Sequence, residues 1–478
     1  MDGELTWAIE TDLNDAQTIL YRRLSAGLYQ AKDGEYYHIH GSLEASKTLE
    51  MIGLPSHNPD VTDYDACIKV IEGAVKKYTV LELEEMTKVN LQAGAPVYTH
   101  EEFLATPHGK TMNELPPFTV KAFETTTPKA PFGGVSSEPK ARQVLEGVRV
   151  LELCRIIAGP TIGRSLAALG ATVLKVTSPQ LPDVPFFQVD GNLGKHTTSL
   201  HLKGNDKDRQ VFKELLESAD VIIDGYSPGS LDRLGYGPKQ LKKVAERRGK
   251  GFVYVAEDCF GGTDDMGDNN AEWASRRGWQ QIADCVTGVA WEQGKFMNKD
   301  EPVIPPFPMS DYGTGALGSL AALTGLYRRN TEGGSWVCRT SLVQYDLFLL
   351  SLGLHTPEVQ VQLREVHSPE FFELRHYDSV DVVGKRALES TNRAHGDPFK
   401  DELMQTTWSP EFGNQGSGGA VVTFPREAVT IESLDIGHVR PTRRNGFDQP
   451  SWEGWERDED LLQGKDKSDP VEKLMVLD

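Results

Sequence analysis

From residue 145 onward the chain alternates short apolar runs with amphipathic stretches. Val148-Arg149-Val150-Leu151-Glu152-Leu153 reads as a strand, and Ala158-Gly159-Pro160 opens a helix that runs through Ile162, Leu166 and Leu169 and closes at Gly170. Ala171-Thr172-Val173-Leu174-Lys175-Val176 follows as a second strand. Phe212, Leu215 and Leu216 lie on the next helix, before a strand at Asp220-Val221-Ile222-Ile223-Asp224 and a fourth at Phe252-Val253-Tyr254-Val255. Strands separated by helices of this length predict a parallel sheet with right-handed crossovers, hence an α/β class with a Rossmann-like large domain over 144–350. Ligands of such sheets bind beyond the carboxyl ends of the strands, which directs attention to the loops after Leu153, Val176, Ile223 and Val255.

The flanks differ in pattern. Residues 1–115 read as mainly helical, with one strand at Glu35-Tyr36-Tyr37-His38-Ile39-His40 after an Asp33-Gly34 turn and helical spacing from Ile68 to Leu91. Prolines, glycines and serines over 116–143 predict a linker or an extended wrapping segment. Gly313, Gly315 and Gly318, followed by Leu320, Leu323 and Leu326, predict a closely packed helix. Residues 351–455 are polar and irregular, with a glycine-rich loop at Gly413, Gly416, Gly418 and Gly419, and 456–478 form a charged tail.

Length and composition narrow the class. The 478 residues correspond to roughly three domains, and 38% hydrophobic residues suffice for an ordinary core. With 50 basic and 70 acidic side chains the net charge is −20, which argues against a nucleic-acid partner but leaves room for a local basic pocket and an anionic small ligand. No apolar run approaches the roughly 20 residues a bilayer span needs. The acidic start Met1-Asp2-Gly3-Glu4 lacks a signal-peptide core, and Val476-Leu477-Asp478 is not a peroxisomal tripeptide, so a cytoplasmic location without membrane partners is expected. Cys67, Cys154, Cys259, Cys285 and Cys338 form no CxxC pair and read as reduced core thiols, and His38 and His40 read as structural strand residues, so no metal site is expected.

Several segments, taken in order, resemble CoA-transferase family III, the CaiB/BaiF family. They are Leu145–Leu153, Ala158-Gly159-Pro160, Leu169–Val176, Ala219–Asp224 with Ser227–Gly235, Ser310-Asp311-Tyr312-Gly313-Thr314-Gly315, and Leu317–Arg329 with Gly333–Val337. The resemblance covers about 145–350. Within 1–115, Asp33–Tyr37, Leu49–Pro55 and Ala93–Glu102 resemble the family's smaller α+β domain, which normally follows the catalytic aspartate and here precedes the large domain. Such rearranged, extended chains are similar to fungal members, some of which serve secondary metabolism.

The resemblance implies an acyl-CoA:carboxylate CoA-transferase with Asp311 as its covalent residue. A carboxylate attacks the thioester to form a mixed anhydride and CoA thiolate, and an aspartyl-CoA thioester then exchanges the acids. Gly313 and Gly315 would remove bulk near that carboxylate. From the residues alone, an Asp before a glycine-rich helix start is as readily an N-cap. The implied CoA contacts are Arg155 and Ile157 on the first loop, Leu200 at the nucleotide border beside Lys195 and His196, Asp224 and Tyr226 after a sheet strand, Arg233 on a phosphate, and Arg277 before the active-site helix. CoA enters as a substrate, no cofactor is implied, and family members form interlocked homodimers, with 116–143 as the threading element.

The chain departs from the family pattern in three places. Ser310 replaces a glycine, Thr177-Ser178 stand where a Glu-Arg pair is usual, and Leu200-His201-Leu202 replaces Leu-Asp-Leu. No histidine lies between His201 and His355, which disfavours a two-base racemase. Two rival readings stay open: an acyl-CoA isomerase or lyase using Asp311 as base, and a non-catalytic relative that binds CoA esters.

Overall fold

The structure, a computed structural model, describes residues 12–130, 143–263, 271–396, 399–409, 419–432 and 434–455. Its strands are β1 (Ala26–Gln30), β2 (Tyr36–His40), β3 (Ala93–Pro96), β4 (Phe118–Glu124), β5 (Arg149–Leu153), β6 (Thr172–Thr177), β7 (His196–Ser199), β8 (Val221–Asp224), β9 (Val253–Asp258), β10 (Ser335–Ser341), β11 (Met404–Ser409) and β12 (Ala420–Pro425). A seven-stranded sheet has the order β4-β10-β9-β8-β5-β6-β7. Every pairing in it is parallel except that of β4 with β10. From β5 onward this is the doubly wound dinucleotide-binding order, and its switch point lies between β5 and β8.

Side-chain alternation along the strands builds the two faces of this sheet. Leu151, Leu153, Ile222, Tyr254 and Ala256 pack with Phe212, Leu216 and Leu241 on one face. Val150, Val221, Ile223, Val253 and Val255 pack with Ile162, Leu166, Ala321 and Leu326 on the other. The second face therefore carries the helices Ala158–Ala168 and Met309–Thr331. These two helices meet through glycines: a Cβ on Gly315 would run into Thr161, and one on Gly318 into Ile162. A Cβ on Gly313 would run into the Tyr345 ring. The two glycines beside Asp311 thus admit neighbouring helices rather than a substrate, which corrects the reading of them as space for catalysis.

Residues 12–105 form a separate layer. Beside the expected β2, the strands β1 and β3 complete a three-stranded antiparallel sheet. The helical stretch over 65–93 is two helices, Tyr64–Val75 and Val80–Val89, the second opened by a capping box on Thr79 and Glu82. Ala93, Ala95, Phe103 and Met112 then pack against Phe260, Ile282 and Leu342 of the large domain. On the opposite side the His376 ring bridges Glu72 Oε1 at 2.9 Å and Glu301 Oε2 at 2.7 Å, tying the N-terminal layer to the return segment.

Two expectations about the connections change. Part of the 116–143 linker is the sheet strand β4, while 131–142 lie outside the described residues. The return segment is less irregular than its composition suggests, with helices Pro357–Val366 and Val380–His395 and the hairpin β11–β12. It ends by covering the outer sheet edge: the Thr197 N–H donates to Asp448 Oδ2 at 2.8 Å, and Trp455 stacks on His196 at 3.6 Å. Residues 410–418 and the charged tail 456–478 lie outside the described residues. All five cysteines are buried free thiols. No helix among the described residues is long and apolar enough to cross a membrane.

Candidate active site

A cleft of about 990 Å³ opens beyond the carboxyl ends of β5, β8 and β9, at the switch point of the sheet. Its lining includes the buried Ile157 and Glu257, the partly buried Gly225, Asp311, Arg155 and Tyr226, and the exposed Arg233 and Arg277. Leu200 and His201 close one end. The other wall comes from the N-terminal layer of the same chain, including Ser42, Glu44, Lys47 and Gln92. Arg155, Ile157, Leu200, Tyr226, Arg233, Arg277 and Asp311, singled out separately in the sequence, all line this one cleft.

Asp224 does not line it. The residue follows Ile222 in strand parity and so turns to the opposite face of the sheet. There it accepts the Tyr254 hydroxyl at 2.5 Å and the Tyr226 N–H at 3.2 Å. Burial raises its carboxyl to about 6. Asp224 is corrected to a residue that fixes the Tyr226 loop from behind. Lys195 is corrected likewise: fully buried, it pairs with Glu152 Oε2 at 2.5 Å and the Pro160 carbonyl at 2.7 Å, under the helix Ala158–Ala168.

The loop after β5 is under conformational constraint. Ile156 holds a φ of 69°, an uncommon region for a branched side chain, where the backbone turns into the next helix. Arg155 on the same loop donates to the Pro182 carbonyl at 2.7 Å and lies 5.7 Å from the Tyr226 ring centre. Arg233 donates to the Ser230 hydroxyl at 3.0 Å, and Arg277 to the Leu91 carbonyl at 3.3 Å. None of the three has a carboxylate partner among the described residues. Arg276, by contrast, is spent on Glu84 at 2.7 and 3.1 Å.

Asp311 is the third residue of the helix Met309–Thr331, whose cap is Pro308 with no side-chain cap bond. It is therefore not the N-cap that its sequence context allows. No described group hydrogen-bonds to its carboxyl. Burial, and next the charge of Asp284, push it up to about 8.

Ser310 explains part of that environment. Its hydroxyl bonds to Asp284 Oδ1, while the Gln280 amide bonds to Asp284 Oδ2. Asp346 accepts the Thr287 hydroxyl at 3.1 Å. Both aspartates are fully buried without a cation, and each is raised, by burial first and for Asp346 then by Asp284. Ser310 ties both acids to the start of the helix Met309–Thr331. The serine that replaces a glycine is thus part of a buried acid network beneath Asp311.

Sequence reasoning passed over Asp284, Asp346 and Glu257. Glu257 lies near the end of β9, and strand parity places it with Val253 and Val255 on the face of the helix Met309–Thr331, a signal that could have been read. His201 is the only histidine lining the cleft among the described residues, while His40 stacks on Trp279 at 5.7 Å from the N-terminal layer. Among the described residues no group of three or more His, Cys, Asp or Glu could hold a metal ion.

Comparison with known proteins gives the chain's family. A model of CoA-transferase family III matches residues 145–376. The acetyl-coenzyme A transferase nodX of Hypoxylon pulicicidum is 32% identical over 449 residues, covering 92% of this chain and 73% of that protein. An acyl-CoA transferase of Gibberella moniliformis is 34% identical over 399 residues, covering 81% and 68%. A crystal structure of a CAIB/BAIF family protein from Brucella suis covers 64% of this chain and 97% of its own, at 17% identity and a TM-score of 0.41. The chain belongs to CoA-transferase family III and is an enzyme of the CoA-transferase class.

Proposed function

We propose that the enzyme moves CoA from an acyl-CoA to a carboxylic acid through covalent intermediates on Asp311. The observation that carries this is a carboxylate without a described hydrogen-bond partner, in a cleft also lined by three arginines without carboxylate partners among the described residues. The arginines suit the phosphates of CoA, which would lie along Arg155, Tyr226 and Arg233 and past Leu200, with Arg277 opposite. The Asp311 carboxylate attacks the thioester carbon, and the C–S bond breaks to give an acyl-aspartyl anhydride and CoA thiolate. The thiolate attacks the aspartyl carbonyl, releases the donor acid and leaves an aspartyl-CoA thioester. The acceptor carboxylate attacks that thioester, and the returning thiolate takes the new acyl group, restoring Asp311. Every proton and electron pair is accounted for without a resident cofactor.

Asp311→Asn is expected to abolish transfer while CoA affinity stays within about threefold of wild type. Retained transfer would sink the assignment. Deuterium entering the α-position of an acyl-CoA without any exchange of acid would instead show Asp311 acting as a base in an isomerase.

A homodimer is part of the same reading. Tyr312, Leu320 and Tyr327 lie along one stripe of the catalytic helix, with Leu320 53% and Tyr327 65% exposed. A role in fungal secondary metabolism is proposed on the displaced small domain and on the match to the Hypoxylon enzyme along nearly the whole chain.

A further inference from the structure

Glu257 stands out among the groups that the covalent scheme leaves unused. Along β9, Val253 and Val255 fill the core beneath the catalytic helix. The next position on that face is this carboxyl instead of another apolar side chain. It is only 9% exposed and lines the cleft together with Asp311. No described hydrogen bond or ion pair reaches it. The charged groups that act on it are Asp311 from the catalytic helix and, through the sheet, Asp258 from its own strand and Asp224 from β8, all acids, with no cation among them. Its Oε2 lies beside Gly225, where an added Cβ would stand 3.2 Å away, tighter than ordinary contact. Burial, and next the charge of Asp311, raise its carboxyl well above the ordinary carboxylate range, which favours the neutral form, and a neutral acid with no partner can donate a hydrogen bond in the cleft it lines.

We propose that Glu257 is a second catalytic residue, a neutral carboxylic acid that donates a hydrogen bond to the thioester carbonyl oxygen as Asp311 attacks. The inference rests on the covalent reading of Asp311. As the Asp311 oxygen bonds to the carbonyl carbon, the C=O pair moves onto the oxygen, where the Glu257 O–H meets the developing charge. When the C–S bond breaks, that pair returns and the thiolate leaves. Glu257 keeps its proton throughout, so the step balances without another reactant. A buried acid kept neutral to serve an oxyanion is an established device.

The test is the single-turnover acylation of Asp311 by acetyl-CoA, followed as hydroxylamine-trapped adduct. Glu257→Leu removes the donor and should slow acylation by about 10²–10³-fold with CoA affinity unchanged. Glu257→Gln retains an N–H donor and should stay within about tenfold of wild type. Acylation of the leucine variant at the wild-type rate would overturn the inference, and so would a glutamine variant as slow as the leucine one. If the wild type itself forms no Asp311 adduct, the covalent reading falls, a result distinct from either.

Discussion

Replacing Asp284 by Asn tests the electrostatic account of Asp311. The amide keeps the shape of the carboxylate and can still accept the Ser310 hydroxyl, but it carries no charge. With Asp311 at about 8, roughly one-tenth of it is ionised at pH 7. A neighbouring like charge is worth about one pH unit, or about 1.4 kcal/mol. Without it, about half of Asp311 would be ionised at pH 7, and acylation there should rise about fivefold. Above about pH 9 the two enzymes should converge, because Asp311 is then ionised in both. The assay is the single-turnover acylation rate as a function of pH, whose midpoint should move from near 8 toward 7. An unchanged midpoint would mean that burial alone sets the state of Asp311 and that the network beneath it carries no charge the nucleophile feels.

Further outcomes follow from the same groups. Ser310→Gly restores the residue usual in the family but strands two buried acids, so it should destabilise the chain by about 2 kcal/mol in urea unfolding; a change near zero would remove the network from the account. Thermal stability should fall between about pH 5 and pH 8, since Asp224 and Asp311, raised to about 6 and about 8, hold protons in the folded chain that the unfolded chain has released. A midpoint temperature that climbs through that window would contradict the sign. Arg233→Ala and Arg277→Ala should raise the KM for acyl-CoA severalfold with little change in kcat, an effect that shrinks at high salt; a loss confined to kcat would place these arginines elsewhere in the reaction.

The sheet was legible where strands are apolar. The runs at β5, β6, β8 and β9 announce themselves because both of their faces are buried. The strand β7, His196-Thr197-Thr198-Ser199, has no apolar signal; its edge is covered by Asp448 and Trp455, about 250 residues further along the chain. The strand β3, Ala-Gly-Ala-Pro, is too small in side chain to show a period. Asp311 and the arginines were singled out through the resemblance, and what the structure adds is that they line one cleft. Parity along a strand explains the rest: it sends Asp224 behind the sheet and Glu257 into the cleft. Proximity to a strand end suggested the first, and neglect of strand alternation concealed the second. Asp284 and Asp346 come together only in the packed helices, and nothing in their local sequence marks them as neighbours of Asp311.

The central claim is that Asp311 becomes covalently acylated. Incubation of the full chain with acetyl-CoA, quenching with hydroxylamine and mass spectrometry of the peptide containing residues 309–329 test it directly. The account predicts a hydroxamate on Asp311, formed only when acyl-CoA is present and absent from Asp311→Asn. Transfer of CoA with an unmodified Asp311 peptide, or a hydroxamate on Glu257 in its place, would contradict it.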